Sequence, residues 1–259
     1  MINVLQLGTL DYDAALRLQA SLVEMRKAGR VGDVLLLLEH PPVITLGRNA
    51  KAANILASSE KLGAAGVQVF ECDRGGDVTF HGPGQLVGYP IFELRGFPTT
   101  QGVRRTLGAV DFVRRVEEVL IRSCADFGIA TERVPGLTGV WTKASNERAP
   151  AKIAAIGVHI SRGVTSHGFA LNVNTELEYF NLIIPCGITK GVTSAAKELG
   201  TRLLLDDVAQ SIARNFGEVF QREIVFVDTL EQLLGWSMGI PMKPPAELRA
   251  LQEDEMFWA

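Results

Sequence analysis

Long apolar runs are missing from this 259-residue chain: its longest uninterrupted aliphatic stretch, VLLLL at residues 34–38, falls far short of the ~20 residues a membrane-spanning helix needs. The chain therefore reads as a non-membrane protein. Its opening residues, MINVLQLGTLDY, have no basic start of the kind a secretory signal carries, and Asp11 and Asp13 follow at once. The expected compartment is the cytoplasm. Cysteine is scarce, with three residues at 72, 124 and 186 and no CxxC spacing, which excludes a disulfide framework and a cysteine-built zinc site. Neither sign of charge prevails: 26 Lys and Arg stand against 29 Asp and Glu, so nothing points to a nucleic-acid binder. No GxxxxGK[ST] or GxGxxG pattern occurs, and no phosphate-cradling loop is expected. Internal repeats and low-complexity tracts are also absent.

What remains is the composition of an ordinary folded protein, 47% hydrophobic and 21% charged, which supports one sizeable core. The reading is a single catalytic domain over residues 1–240. A loosely held tail follows at 241–259, where Pro244 and Pro245 sit among charges. Apolar residues at Ala14, Ala15, Leu18, Leu22 and Met25 predict a helix over 11–30, and Val113, Val116, Val119, Leu120 and Cys124 predict another over 110–127. Asp206 and Asp207 are expected to cap a third, running to Phe220. Ile55 and Leu62 suggest a short helix. Strands are predicted at 34–38, 43–46, 67–70, 131–134, 139–142, 153–160, 164–173 and 223–227, with a turn at Arg162 and Gly163. Strands cluster rather than alternate with helices, which argues for an α+β or mixed-sheet α/β fold.

The densest chemical signal is RGGDVTFHGPGQ at residues 74–85, with four glycines in twelve residues. It reads as a loop through which another molecule approaches the backbone; a tight pair of turns between strands is the plain alternative. Cys186 lies in IIPCGI, between Pro185 and Gly187, a setting that presents a nucleophile more readily than it buries one. A free thiol is only about 3% thiolate at pH 7, so a nucleophilic Cys186 needs a cation or base from elsewhere in the chain. Lys152, His81, His159 and His167 are candidates, and spacing alone does not choose among them.

Taken together, EHPPVITLGRNA, RGGDVTFHGPGQLVGYP, KIAAIGV, SHGFALNVN and PCGI, in this order, resemble the lipoyl(octanoyl) transferases of the biotin/lipoate protein ligase-like superfamily. The likeness runs from about Glu39 to Leu199; the stretch after about Phe220 matches poorly, and KASNERAP at 143–150 looks like an insertion. The resemblance implies a mixed sheet flanked by helices and no cofactor. It implies Cys186 as the acyl-thioester nucleophile and Lys152 as the group that lowers its pKa. Substrate binding is implied for Arg74, Gly75, Gly76, Asp77, Val78, Thr79, Phe80 and His81, for Ala155, Ile156 and Gly157, and for Gly168, Phe169 and Ala170. The implied partners are octanoyl-acyl carrier protein as donor, and lipoyl domains of 2-oxoacid dehydrogenase complexes and the glycine cleavage H protein as acceptors.

Thioester exchange needs no ATP, which agrees with the missing nucleotide motif. Phe169, Val78 and Leu171 are candidates to line a slot for the C8 chain, and a core position fits each of them equally well. The basic pairs Arg104-Arg105 and Arg114-Arg115 could meet an acidic carrier, although a solvated helix face explains them as well. Three rivals stand beside this reading: an ATP-dependent lipoate or biotin ligase on the same fold, a non-catalytic lipoyl-domain binding module, and a thiol hydrolase using His81 or His167 as base.

Overall fold

The computed structural model describes residues 1–97, 106–144, 149–185 and 191–234. Strand β1 (Ile2–Thr9), helix α1 (Tyr12–Lys27) and strand β2 (Asp33–Glu39) open the chain as a parallel crossover unit. Next come β3 (Val43–Leu46), the short α2 (Ser59–Ala64), β4 (Gln68–Glu71), β5 (Val78–His81) and β6 (Gln85–Ile91). After them lie α3 (Ala109–Asp126), β7 (Thr131–Glu132), β8 (Val140–Thr142), β9 (Lys152–Ser161) and β10 (Val164–Asn172). The chain continues with α4 (Ala195–Leu199), α5 (Leu205–Phe220), β11 (Ile224–Phe226) and α6 (Leu230–Leu233).

Eight strands make one mixed sheet in the order β11-β1-β2-β6-β10-β9-β8-β7, and β4-β3-β5 make a second, smaller one. The α/β expectation of a mixed sheet flanked by helices holds. β2 shows why: it lies between β1 and β6 with both faces covered, so its run of leucines divides by period two. Leu35 and Leu37 join the cluster under α3 and α5, with Phe112, Val116, Ile212 and Phe216. Val34, Leu36 and Leu38 join the opposite cluster, with Ala15, Leu18 and Leu22 of α1. Each fully buried side chain of this kind contributes about 1.5–3 kcal/mol. Cys124 is packed in the first cluster. No helix among the described residues is long and apolar enough to cross a membrane.

Several sequence expectations are corrected. β1 and β6 are not among the predicted strands: β1 carries no clean alternation and owes its strand character to pairing with β2 and β11, and β6 is held between β2 and β10. Residues 74–85 are not one loop: a loop ends at Asp77, β5 occupies Val78–His81, and a tight turn leads into β6. Ile55 lies outside α2 and bridges Ile183 instead. Asp206 and Asp207 sit in the first turn of α5 behind an N-cap Leu204, and neither caps it. The turn at Arg162 and Gly163 is as expected, both residues having positive φ (51° and 87°), the geometry that suits strand twist in a two-residue hairpin.

Candidate active site

The glycine-bearing loop after Cys72, strands β5 and β6, and the middles of β9 and β10 enclose a narrow cavity of about 40 Å³, room for about three waters. Of the residues expected to bind substrate, Arg74, Gly75, Gly76, Thr79 and His81 line it from one side. Ala155, Ile156 and Gly157 line it from β9, and Gly168, Phe169 and Ala170 from β10. Asp77, Val78 and Phe80 do not. The reason is the two-residue period of β5, which turns Thr79 and His81 inward and Val78 and Phe80 into a separate apolar cluster with Ile44 and Leu182. Asp77 instead accepts hydrogen bonds from Asn54 Nδ2 (2.5 Å), the Val78 amide (2.8 Å) and the Lys51 amide (3.1 Å), pinning the loop behind the cavity. Leu171 is likewise core and no part of the wall.

Arg74 is buried, yet every oxygen that accepts from it is neutral: Thr45 O at 2.6 Å, Thr45 Oγ1 at 2.9 and 3.1 Å, and Gly75 O at 3.1 Å. None of the ion pairs among the described residues involves Arg74, so the guanidinium charge is left for the cavity. The loop it belongs to is docked on β9 by the Gly75 amide, which donates to Val158 O at 3.1 Å. A Cβ on Gly157 would lie 2.6 Å from Gly75 O, so this contact requires glycine.

Tyr12, Tyr89 and His167 complete the lining; neither tyrosine is among the residues expected to bind substrate, although Tyr89 lies within the glycine-rich motif. A hydrogen-bond chain orders this end. His40 Nδ1 donates to Leu10 O (2.6 Å), so its Nε2 accepts from Tyr89 Oη at 2.7 Å. Gln85 Nε2 donates to Phe80 O and Asn172 Oδ1, which leaves Gln85 Oε1 to accept from His81 Nδ1 at 2.7 Å. His81 is thereby held as the tautomer with a bare Nε2. Asn172 Nδ2 in turn donates to Thr193 O at 3.0 Å, which ties the cavity wall to the segment beside Lys152.

Burial lowers His40 to about 4 and, with the neighbouring His40 and Arg74 charges adding to it, His81 to about 3. Both imidazoles are neutral near pH 7. Because their folded values lie below the ordinary 6.5, the unfolded chain binds the extra protons first as pH drops. Stability is therefore expected to be full above about pH 6.5 and to fall towards pH 4 by about 1.4 kcal/mol per pH unit per histidine. Chemical denaturation across that range checks this, and His40→Gln should flatten the slope; an unchanged slope in that variant contradicts the assignment.

His167, with left-handed φ of 55°, donates its amide to Gln19 Oε1 (2.7 Å) and places Nε2 2.7 Å from Asp73 Oδ1. Burial lowers the His167 pKa more than Asp73 raises it. Asp73 is raised by burial, but the His167 hydrogen bond and the His167 and His159 charges outweigh this and hold it low. His159 Nε2 lies 3.6 Å from Asp73 and 3.4 Å from Arg48 NH2, so it belongs to the outer edge of the site.

Lys152 begins β9 with 9% of its surface exposed, and its ammonium lies 4.8 Å from the centroid of the Trp141 ring. Its amide donates to Gly191 O (2.8 Å), and its carbonyl accepts from the Thr193 amide (3.0 Å). None of the ion pairs among the described residues involves it. Cys186 lies outside the described residues. Its chain neighbour Pro185 shares a surface depression of about 380 Å³ with Gly191 and Val192, the stretch that pairs with Lys152. Arg104 and Arg105 also lie outside. Arg114 pairs with Glu117 at 2.6 Å, and Arg115 lies 5.7 Å from the centroid of Phe220, so this second basic pair is engaged within the protein.

Comparison with known proteins shows the family to which the chain belongs. The family described as lipoyl protein ligase A/B catalytic domain matches residues 11–217. An octanoyltransferase of Koribacter versatilis is 58% identical over 99% of both chains, so the likeness extends through the C-terminal stretch that motif reading left unmatched. One of Acidobacterium capsulatum is 55% identical over 90% of this chain and 96% of its own. Among solved structures, the bipartite lipoate protein ligase of Thermoplasma acidophilum, described with its E2 lipoyl domain, superposes with a TM-score of 0.66 at 16% identity. That match covers 94% of this chain and 99% of the other and speaks for the fold alone. A motif-bearing cavity on this fold, with relatives of this identity along the whole chain, assigns the protein to the lipoyl protein ligase A/B catalytic domain family, as one of its octanoyltransferases acting in protein lipoylation.

Proposed function

We propose that the protein moves octanoyl from octanoyl-acyl carrier protein to a lysine on lipoyl domains, including those of 2-oxoacid dehydrogenase complexes and the glycine cleavage H protein, through a thioester on Cys186. The observation that carries this reading is Lys152: a buried ammonium with no carboxylate paired to it among the described residues, hydrogen-bonded through its backbone to Gly191, five residues along the chain from Cys186.

In the first half reaction the Cys186 thiolate, stabilised by the Lys152 ammonium, attacks the thioester carbonyl. A tetrahedral oxyanion forms and collapses, the carrier's sulfur leaves with the proton of the Lys152 ammonium, and octanoyl remains on Cys186 beside a neutral Lys152. One thioester replaces another, so the step is nearly neutral in free energy. In the second, the acceptor lysine amine attacks that thioester. Lys152, neutral since the first half reaction, takes the proton the amine sheds as Cys186 departs, which restores the thiolate and ammonium pair. At an ordinary pKa of about 10.4, only about 1 in 2,500 acceptor amines is neutral at pH 7, so a proton acceptor matters here.

The cavity walls supply the rest. Ala155, Ile156, Phe169 and Ala170 offer apolar surface to the acyl chain, while Arg74, with its uncancelled charge, favours the carbonyl oxygen side of the substrate. The cavity as it stands is small, so accommodating a C8 chain requires its walls to separate. Each buried methylene contributes about 0.8 kcal/mol, so chain-length preference is expected to be soft. His81 weighs against a thiol hydrolase that uses it as base, because burial leaves it neutral and weakly basic. We further propose that residues 1–240 act as one catalytic domain in the cytoplasm, with residues 241–259 a loosely held tail.

The test is incubation with octanoyl-acyl carrier protein in the absence of ATP, followed by intact mass. An octanoyl adduct that disappears in Cys186→Ala and passes to an added lipoyl domain is the expected result. Dependence on ATP would instead favour the ligase chemistry, and free octanoate without acylated lysine would favour hydrolysis.

A further inference from the structure

We infer that Trp141 is the positioning residue for Lys152, its indole face holding the ammonium where a carboxylate would otherwise sit. The inference rests on the reading of Lys152 given above and adds to it the group that aims the side chain. It begins with register. Val140 of β8 pairs with Ala154 of β9, but the next residue, Trp141, pairs with Lys152, so Ile153 is an extra residue on β9. In unbroken register Trp141 would face Ile153. The bulge moves Lys152 one place along and sets it across from the indole, the kind of re-aiming that strand bulges perform beside reactive sites. It also allows Ile153 and Ala154, adjacent in sequence, to enter the same apolar cluster.

The rest of the cradle is built from behind. Trp141 is 1% exposed and the Lys152 ammonium lies 4.8 Å from its ring centroid. The lysine stem passes Gly139, where a Cβ would come within 3.5 Å of Lys152 Cε and 2.6 Å of Ala154 O. Gly139 is fixed by its amide, which donates to Glu117 Oε1 at 3.1 Å, and the fully buried Glu117 is itself held by Arg114 (2.6 Å) and Arg133 (3.1 Å).

The charged groups on the packing elements include Glu117, Arg114 and Arg133 on one side, Glu132 of β7, which is paired with Trp141 across the strands, and Glu198, which accepts from Thr193 Oγ1 at 2.5 Å, on the other; none of the ion pairs among the described residues joins one of them to Lys152. A carboxylate at this place would bind the ammonium strongly and keep its proton. A π face attracts the cation more weakly and accepts no hydrogen bond of comparable strength, so the proton stays transferable.

The experiment compares Trp141→Leu and Trp141→Phe with the parent protein and Lys152→Met. In protein carrying ¹³C at the lysine ε-carbons, the resonance lost in Lys152→Met is expected upfield of the others, shifted by the indole ring current. It should stay shifted in Trp141→Phe and return to the ordinary position in Trp141→Leu. The pH profile of octanoyl transfer in Trp141→Leu should have its alkaline limb moved down by about 0.5–1.5 pH units, because the ammonium loses its stabilising face. kcat should fall while KM for the carrier holds, and Trp141→Phe should restore most of both.

Should Trp141→Leu not fold, fluorinated tryptophan in a Trp236→Phe, Trp258→Phe background weakens the ring's negative face at constant shape and is expected to move the same limb. A Trp141→Leu or fluorinated protein with the parental pH profile, or an unshifted lysine resonance in the parent, overturns the inference. A fully active Lys152→Met would overturn the underlying reading instead.

Discussion

Octanoyl transfer by Lys152→Met is expected to fall by about 10²–10⁴-fold, the range a positioned proton-transfer group contributes, with the fold retained. Methionine matches the length of the lysine stem and can keep its packing against Trp141 and Gly139, so the loss isolates the charge and the proton. Both half reactions should suffer, for different reasons. Thioester formation loses the cation beside the thiolate, so its rate should rise with pH as an unassisted thiol ionises, near 8.5. Transfer to the acceptor amine loses its proton acceptor, and raising the pH rescues it only as the amine itself becomes neutral, near 10.4. Single-turnover rates followed from pH 6 to 10 separate the two. A variant with the parental pH dependence in both steps would remove Lys152 from the chemistry.

Gly157→Ala is the second change with a large expected effect. The added Cβ would stand 2.6 Å from Gly75 O and 3.4 Å from Arg74 Cδ. A backbone oxygen cannot turn aside as a side chain can, so the loop must lift from β9. Lifting breaks the bond from the Gly75 amide to Val158 O and displaces Arg74, whose bonds to Thr45 hold it over the cavity. A displacement of about 1 Å at a substrate-positioning wall costs on the order of 10²-fold in rate. Stability should change by only about 1–3 kcal/mol, the usual penalty of local overpacking, because the loop lies outside the apolar clusters. Steady-state kinetics set beside thermal unfolding decides the matter. Parental kcat/KM in Gly157→Ala would mean that this loop does not form the substrate wall.

The site was legible in the sequence to different depths. Arg74, Gly75 and Gly76 announced themselves by glycine density, and they do reach the cavity. Val78 and Phe80, in the same motif, do not, since a motif names a stretch of chain while a strand sends alternate residues to opposite faces. Tyr12 gave no signal, and Tyr89 was not singled out within its motif, because a buried tyrosine in a core and one in a cavity wall have the same local sequence. His81 and His167 were open candidates as bases. Their neutrality or engagement comes from Gln85, Asp73 and the depth of burial, all contributed by other segments.

By itself, then, the sequence determined the kinds of element and the chemical inventory: a 3.6-residue stripe makes α1 and α3, a run of five aliphatics makes β2, and a thiol, a lysine and a glycine-rich segment are supplied for acyl transfer. Only the tertiary structure decided which face of β5 meets substrate, that a one-residue bulge at Ile153 brings Lys152 onto Trp141, and that His40 and His81 stay uncharged. The physical reason is that side-chain period is a local property of backbone geometry, whereas burial, register and charge state depend on what a distant segment places against each face.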